Sequence, residues 1–326
     1  SGLLQTVFIW RSPGIGFLTG SGSGSLLSSP GIVQIHERHL RPCALERGLT
    51  LRKETLYAFS NRGLLFAALL FSLIGISIFA APAQAASYFQ TGIVDGDAFG
   101  GDQDVAFDRA ADGGVNIVKI NLYWEYMVAN GESADRPGSE ATPFDATDPA
   151  SPYYNWSGYD RIIRKIDSRG MDTLLGIVST PKWARISACV SSGVCSAKPD
   201  DYADFAKAAA QRYSGTFDPG DGDGVLPRVR FYQAGNEPNF YLFYKPFLNP
   251  NGSPAAPYEY RKSLNAFYGA IHSVDDSNVV VAAGLAPNGV KGKSIAPLDF
   301  TRRALCMTGT YKNPRPIAGC NFKVKA

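Results

Sequence analysis

From Asn116 onward the chain repeats one alternation, a short β-branched or apolar run followed by a stretch with apolar residues three and four apart. Residues 116–124, NIVKINLYW, read as a strand. In residues 158–170, GYDRIIRKIDSRG, the side chains Tyr159, Ile162, Ile163 and Ile166 take the i, i+3, i+4, i+7 positions of one helix face. Ser157 and Asp160 stand there like a capping box. The strand DTLLGIV (172–178) follows, then a helix over 200–215 with Tyr202, Phe205, Ala206, Ala209 and Tyr213 as its apolar stripe and Gly215 as its stop. RVRFYQAG (228–235) reads as a strand, 258–274 as a helix, NVVVAAG (278–284) as a strand, 298–306 as a helix and NFKVKA (321–326) as the start of another strand. At the front, YFQTGIV (88–94) and residues 102–114 form one more such unit.

Strands separated by helices and short connections pair in parallel, which leaves a doubly wound open sheet or a (β/α)8 barrel. No Gly-x-Gly-x-x-Gly follows the first strand and no phosphate-cradling lysine motif occurs, so a nucleotide-binding open sheet lacks its main support. The residues with chemical potential instead follow the C-terminal ends of successive strands, where a barrel gathers its active site. The predicted fold is α/β, an incomplete (β/α)8 TIM barrel with five βα units and the start of a sixth.

Those strand ends carry Trp124 and Glu125 in LYWEYM, Thr180 and Trp183 in STPKWA, Asn236, Glu237 and Asn239 in GNEPNF, and then LAPNG. Aromatic faces with amide and carboxyl partners suit a neutral polyol such as a carbohydrate. A buried tryptophan can equally be core, so Trp124 and Trp183 have two readings.

QAGNEPN after a buried strand, with STPKWA ending the strand before it, resembles the clan A glycoside hydrolases, retaining (β/α)8 glycosidases that include the cellulase-like family 5 and the xylosidase-like family 39. The resemblance covers roughly residues 88–326. It implies hydrolysis of O-glycosidic bonds, with Glu237 as general acid/base and Asn236 as the residue that hydrogen-bonds the sugar 2-hydroxyl. Trp124, Trp183, Glu125 and Asn239 are the further substrate-binding candidates, and an oligosaccharide, polysaccharide or glycoside is the expected partner.

Retaining hydrolysis needs a second carboxylate about 5 Å from the acid/base. In the clan this is a glutamate ending the seventh strand, whereas after Glu237 the sequence has only Glu259, inside a helix pattern. The nucleophile is therefore expected beyond Ala326, and the chain reads as a barrel cut short, inactive by itself. Glu125 is a rival for the role, and also a candidate partner for Lys182 or Arg185. A second departure is Lys119, where the clan's pattern calls for arginine; the charge is kept and the planar donor fork is lost. The alternative function is a carbohydrate-binding barrel without catalysis, and an open-sheet protein with another ligand is a third reading.

The first methionine is Met127, and residues 1–50 show a Gly/Ser run and no sustained period, so they are treated as a leader without assigned fold. Residues 51–85 have the order of a secretory signal peptide: Arg52, Lys53 and Arg62, an uncharged run over 64–80, and Ala83-Gln84-Ala85 as a small-residue cleavage site. Residues 86–326 are then the partial barrel, an exported protein that meets a membrane only through the signal segment. Export makes Cys189 with Cys195, and Cys306 with Cys320, two local disulfides.

A formal net charge of +3 from 32 basic and 29 acidic residues gives no electrostatic case for nucleic acid. Beyond the signal only His272 remains and no Cys-x-x-Cys occurs, so neither a zinc site nor a Ser/His/Asp triad has its parts, and no metal or cofactor is expected. Asp218, Asp221 and Asp223 hint at calcium but lack the spacing of an EF-hand loop.

Overall fold

The computed structural model describes residues 90–101, 104–310 and 312–320, with the backbone alone of two further strands at 5–9 and 18–20. The chain divides into two compact units, Ser1–Ser23 with Tyr88–Ala326, and Gly24–Ser87. No residue of the second unit is described, so the signal segment lies outside the described residues, as does the strand expected at 321–326.

Five parallel strands form the frame: β3 (Gln90–Val94), β4 (Ile117–Tyr123), β5 (Asp172–Val178), β6 (Phe231–Ala234) and β7 (Val279–Ala282). Between them run α1 (Gly96–Gly100), α2 (Asp104–Asp112), the single turn α3 (Trp124–Met127), α4 (Ser157–Asp167), α5 (Pro199–Arg212) and α6 (Ala256–Val274), with α7 (Pro297–Ala304) after β7. Within the leader, β1 (Gln5–Ile9) pairs antiparallel with β3 and with β2 (Leu18–Gly20). Among the described residues no helix is long and apolar enough to cross a membrane.

The spatial order of the parallel strands is their chain order. A doubly wound sheet must reverse direction at its centre, so this order excludes it. The two faces differ as a barrel wall requires. Val118, Ile120, Leu122, Leu175, Ile177, Tyr232 and Val280 share one core with Phe107, Ile163, Phe205 and Phe267 of the helices, while Ile117, Leu174, Phe231 and Val281 form a separate small cluster on the other face. Alternation along each strand produces the division, since successive side chains point to opposite faces. Five parallel strands wound one way, with helices on one face, are a partial (β/α) barrel.

One local expectation changes. The capping box does not form: α4 has no side-chain cap bond, and Asp160 turns inward to accept from Arg212 Nη2 at 2.6 Å, Arg212 Nε at 3.0 Å and the Tyr213 hydroxyl at 2.9 Å. A buried guanidinium from α5 outcompetes the helix's own amides because it offers a bidentate, charge-assisted partner. The loop between Cys306 and Cys320 contains a hairpin, β8 (Met307–Thr310) and β9 (Asn313–Pro316). The Asp-rich loop is held by a cation of the chain itself: Arg164 donates to the carbonyls of Asp223, Val225 and Gly224 and pairs with Asp221. Both expected disulfides, Cys189–Cys195 and Cys306–Cys320, are present.

Candidate active site

The inward positions of β4 run Ile117, Lys119, Asn121, from apolar at the strand's start to polar toward its end. Gly176 faces them from β5: a Cβ there would lie 2.8 Å from Asn121 Oδ1 and 3.5 Å from Lys119 Cε, so only glycine leaves room for both side chains. Lys119 is 6% exposed and its Nζ donates to Asn236 Oδ1 at 2.9 Å. Burial pulls the ammonium down to about 8, against the opposing field of the Glu237 carboxylate, which favours the charged form. With its oxygen held by Lys119, the Asn236 side chain keeps its two N–H donors for other partners.

The turn after β6 is built to present Glu237. Gly235 takes φ +77° and Glu237 itself φ +43°, a left-handed conformation that L residues other than Asn, Asp and Gly rarely adopt. Surrounding bonds impose it. Glu237 N–H donates to Gly284 O at 2.9 Å beyond β7, Phe240 N–H donates to Glu237 O at 2.9 Å, and Gln233 Nε2 donates to Gly235 O at 3.1 Å. Asn239, fully buried, clamps the far side: its amide donates to Ala286 O at 2.9 Å and Ile295 O at 2.8 Å, and its Oδ1 accepts from Ala286 N–H at 2.8 Å. Left-handed non-glycine residues held in this way cost about 1–3 kcal/mol and concentrate at functional sites.

Asn236 and Glu237 thus sit together, half-buried, at the strand tips. The other candidates have different places. Trp124 is 0% exposed and stacks on Phe205 at 4.9 Å, with Trp183 edge-on to it at 5.6 Å and 6% exposed. Both rings are packed into the core, and Trp124 also forms part of the wall of the cavity at the strand tips. Asn239 is likewise structural, its amide spent on three backbone groups. Glu125 is 9% exposed, ion-paired with Arg185, and accepts from Ser179 Oγ at 2.8 Å. Of its two anticipated partners, Arg185 is the one it takes.

A cavity of about 390 Å³ opens at these strand tips, bounded by Asn121, Glu125, Ser179 and Asn236 on the side of the sheet. At its mouth stand Tyr123, Tyr126 and Phe243, which are 45%, 71% and 48% exposed. These three aromatics went unremarked in the sequence, because nothing in local pattern distinguishes a rim tyrosine from the core tryptophan beside it. Asn121 and Lys119 were legible as inward positions by their parity with Ile117. No cluster of three or more histidine, cysteine or acidic side chains able to hold a metal ion occurs among the described residues.

No family model matches the chain. No curated protein matches it either. Solved structures similar to it are glycoside hydrolases. A glucosidase from Croceicoccus marinus aligns at 20% identity over 57% of this chain and 34% of its own, with a TM-score of 0.37. A family 39 glycoside hydrolase from Bacteroides cellulosilyticus WH2 aligns at 14% identity over 61% and 36%, with a TM-score of 0.34. An endoglucanase from Pseudomonas stutzeri aligns at 16% identity over 55% and 41%, with a TM-score of 0.31. The chain spans between a third and about two fifths of the length of these proteins.

Proposed function

We propose that the chain is part of an exported retaining glycoside hydrolase in which Glu237 is the general acid/base and Asn236 the donor to the sugar hydroxyl beside the scissile bond. The observation that carries this reading is the strained turn at Glu237. The backbone of Glu237, at a buried strand tip, at φ +43° and tied on both sides by backbone bonds, is held in place before any ligand arrives.

The chemistry follows from these neighbours. An acid/base must protonate the leaving oxygen in the first half of the reaction and take a proton from water in the second. Lys119 lies close enough to feel the Glu237 charge, and by holding Asn236 Oδ1 it leaves that amide's N–H groups as the atoms that would donate to a sugar hydroxyl. Glu125 is neutralised by Arg185 and bonded to Ser179, which suits it to shaping the cavity rather than attacking an anomeric carbon. The nucleophile is assigned to a carboxylate outside this chain. The two disulfides agree with an oxidising compartment, which supports export.

The test compares the full-length protein with Glu237→Gln on aryl β-glycosides. The expected result is a loss of turnover of 10²-fold or more, with azide restoring much of it on substrates with good leaving groups, since such a group needs no protonation to depart and azide, unlike water, needs no base to displace the enzyme carboxylate and leave as the glycosyl azide. Unchanged turnover in the variant removes Glu237 from the mechanism. Sugar binding without turnover in either form points to a carbohydrate-binding barrel instead.

A further inference from the structure

The three connections that follow β5, β6 and β7, residues 179–198, 235–255 and 283–296, are bonded to one another past the strand tips. Lys245 N–H donates to Val194 O at 3.0 Å and Ser196 N–H donates to Lys245 O at 2.8 Å, which ties the Cys189–Cys195 loop to the connection after β6. Tyr241 N–H donates to Lys293 O at 2.9 Å and the Asn239 amide donates to Ile295 O at 2.8 Å, which ties that connection to the one after β7. The result is one continuous, braced rim.

Its charge is one-sided. The three connections hold six basic residues, Lys182, Arg185, Lys198, Lys245, Lys291 and Lys293, against a single acidic one, Glu237 of the site. The connection after β4, residues 124–156, has the opposite balance, with six acidic residues and Arg136 as its one base. Arg185 is spent on Glu125 and Lys198 on Asp201. Lys245, half-buried, and Lys291 and Lys293, both exposed, form no ion pair among the described residues.

The same rim carries Val190, Leu242, Phe243, Leu248 and Val290, each 40% exposed or more. They are five of the ten large apolar side chains that stand exposed among the described residues, so apolar surface and unpaired positive charge gather in one place. That combination fits an anionic lipid surface. Lysine stems lie along the apolar layer with their ammonium groups among the headgroups, while leucine, phenylalanine and valine enter the boundary with the acyl chains. An acidic polymer in solution would satisfy the lysines and leave the five apolar side chains in water.

We propose that this rim is a peripheral docking surface for anionic lipid. It adds a lipid contact to the signal segment anticipated from the sequence, and it does not depend on the glycosidase reading. Phe243 belongs both to the rim and to the mouth of the cavity, so the docked protein holds that mouth at the lipid surface.

The experiment measures co-sedimentation of the full-length protein with vesicles of phosphatidylcholine alone, and of phosphatidylcholine and phosphatidylglycerol in equal parts. Two paired variants accompany it, Lys291→Gln with Lys293→Gln, and Leu242→Asn with Val290→Asn. The parent is expected to bind the phosphatidylglycerol vesicles only, and less tightly as salt is added. The lysine pair lowers that affinity about 25-fold, about fivefold for each charge, and flattens the salt dependence. The apolar pair lowers it about tenfold and keeps the salt dependence. Unfolding midpoints in urea stay those of the parent. Binding that is absent, equal on both vesicles, or equal in all three proteins overturns the assignment. Binding to dextran sulfate as tight as to the vesicles, with the apolar pair unaffected, makes the partner an acidic polymer and overturns it. Absent vesicle binding with a lower midpoint in the apolar pair shows that the remainder of the protein covers the rim, and overturns it as well.

Discussion

Lys119→Met separates what the site needs from what the fold needs. The ammonium is buried and stands at about 8 when folded against 10.5 unfolded, so burial acts against the charged form. The unfolded chain binds the proton more tightly, which makes this side chain a cost to stability, fully present below about pH 8 and lost as pH rises toward 10.5. At roughly 1.4 kcal/mol per pH unit, the cost at pH 7 is ~3 kcal/mol. Methionine fills similar volume without a charge, but leaves Asn236 Oδ1 without its donor, and because Asn236 is half-buried and reached by water that loss is about 1 kcal/mol. The variant is therefore expected to be more stable than the parent by ~2 kcal/mol at pH 7, about 4–8 °C in Tm for a domain of this size. The advantage should vanish near pH 10, where the parent lysine is neutral in the fold but still about three-quarters charged in the unfolded chain, so that its remaining cost of about 1 kcal/mol only offsets the bond lost at Asn236. Denaturant unfolding at both pH values, disulfides intact, measures it. In the full-length protein, turnover should fall over the same substitution, because Asn236 loses its orientation. A variant less stable at pH 7, or a difference that does not change with pH, refutes the argument that a buried charge is held here at the expense of stability.

Three shorter predictions follow from other contacts. Asp160→Asn leaves the Arg212 guanidinium buried with its charge uncompensated, and should cost about 3–5 kcal/mol in urea unfolding; a loss under 1 kcal/mol would show that the pair is not formed. Gly176→Ala puts a methyl 2.8 Å from Asn121 Oδ1, and should cost about 1–3 kcal/mol by overpacking while lowering turnover of the full-length protein; unchanged stability and turnover would refute the close packing under the site. Replacing Cys189 and Cys195 together by serine opens a short loop and should cost ~2 kcal/mol in urea unfolding; an unchanged midpoint would show that the bond does not constrain the chain.

The element series was legible because each run states its own periodicity. β5 begins and ends where the apolar run DTLLGIV does, and α6 covers the stripe of Tyr260, Phe267 and Ile271. The hairpin β8–β9 was not legible, since its strand Asn313–Pro316 carries two prolines and no alternation, and the disulfide at its base contributes what sequence pattern does not. The capping box failed for a similar reason: Ser157 and Asp160 have the right spacing, and Arg212 lies 52 residues away from Asp160 in the chain.

By itself the sequence determined the alternation of strand and helix, the pairing of the cysteines, and the placing of Asn236 and Glu237 just past a buried strand. Each depends on residues near one another in the chain, where steric and periodic rules act. Only the tertiary structure decided which aromatics are buried and which stand exposed at the rim, that Glu125 is committed to Arg185, and that the cavity at the strand tips is walled by the disulfide loop. Burial and partnership depend on distant segments meeting. Trp124 reads the same in sequence whether it faces solvent or Phe205, and the packing of α5 against the outer face of the sheet makes it core.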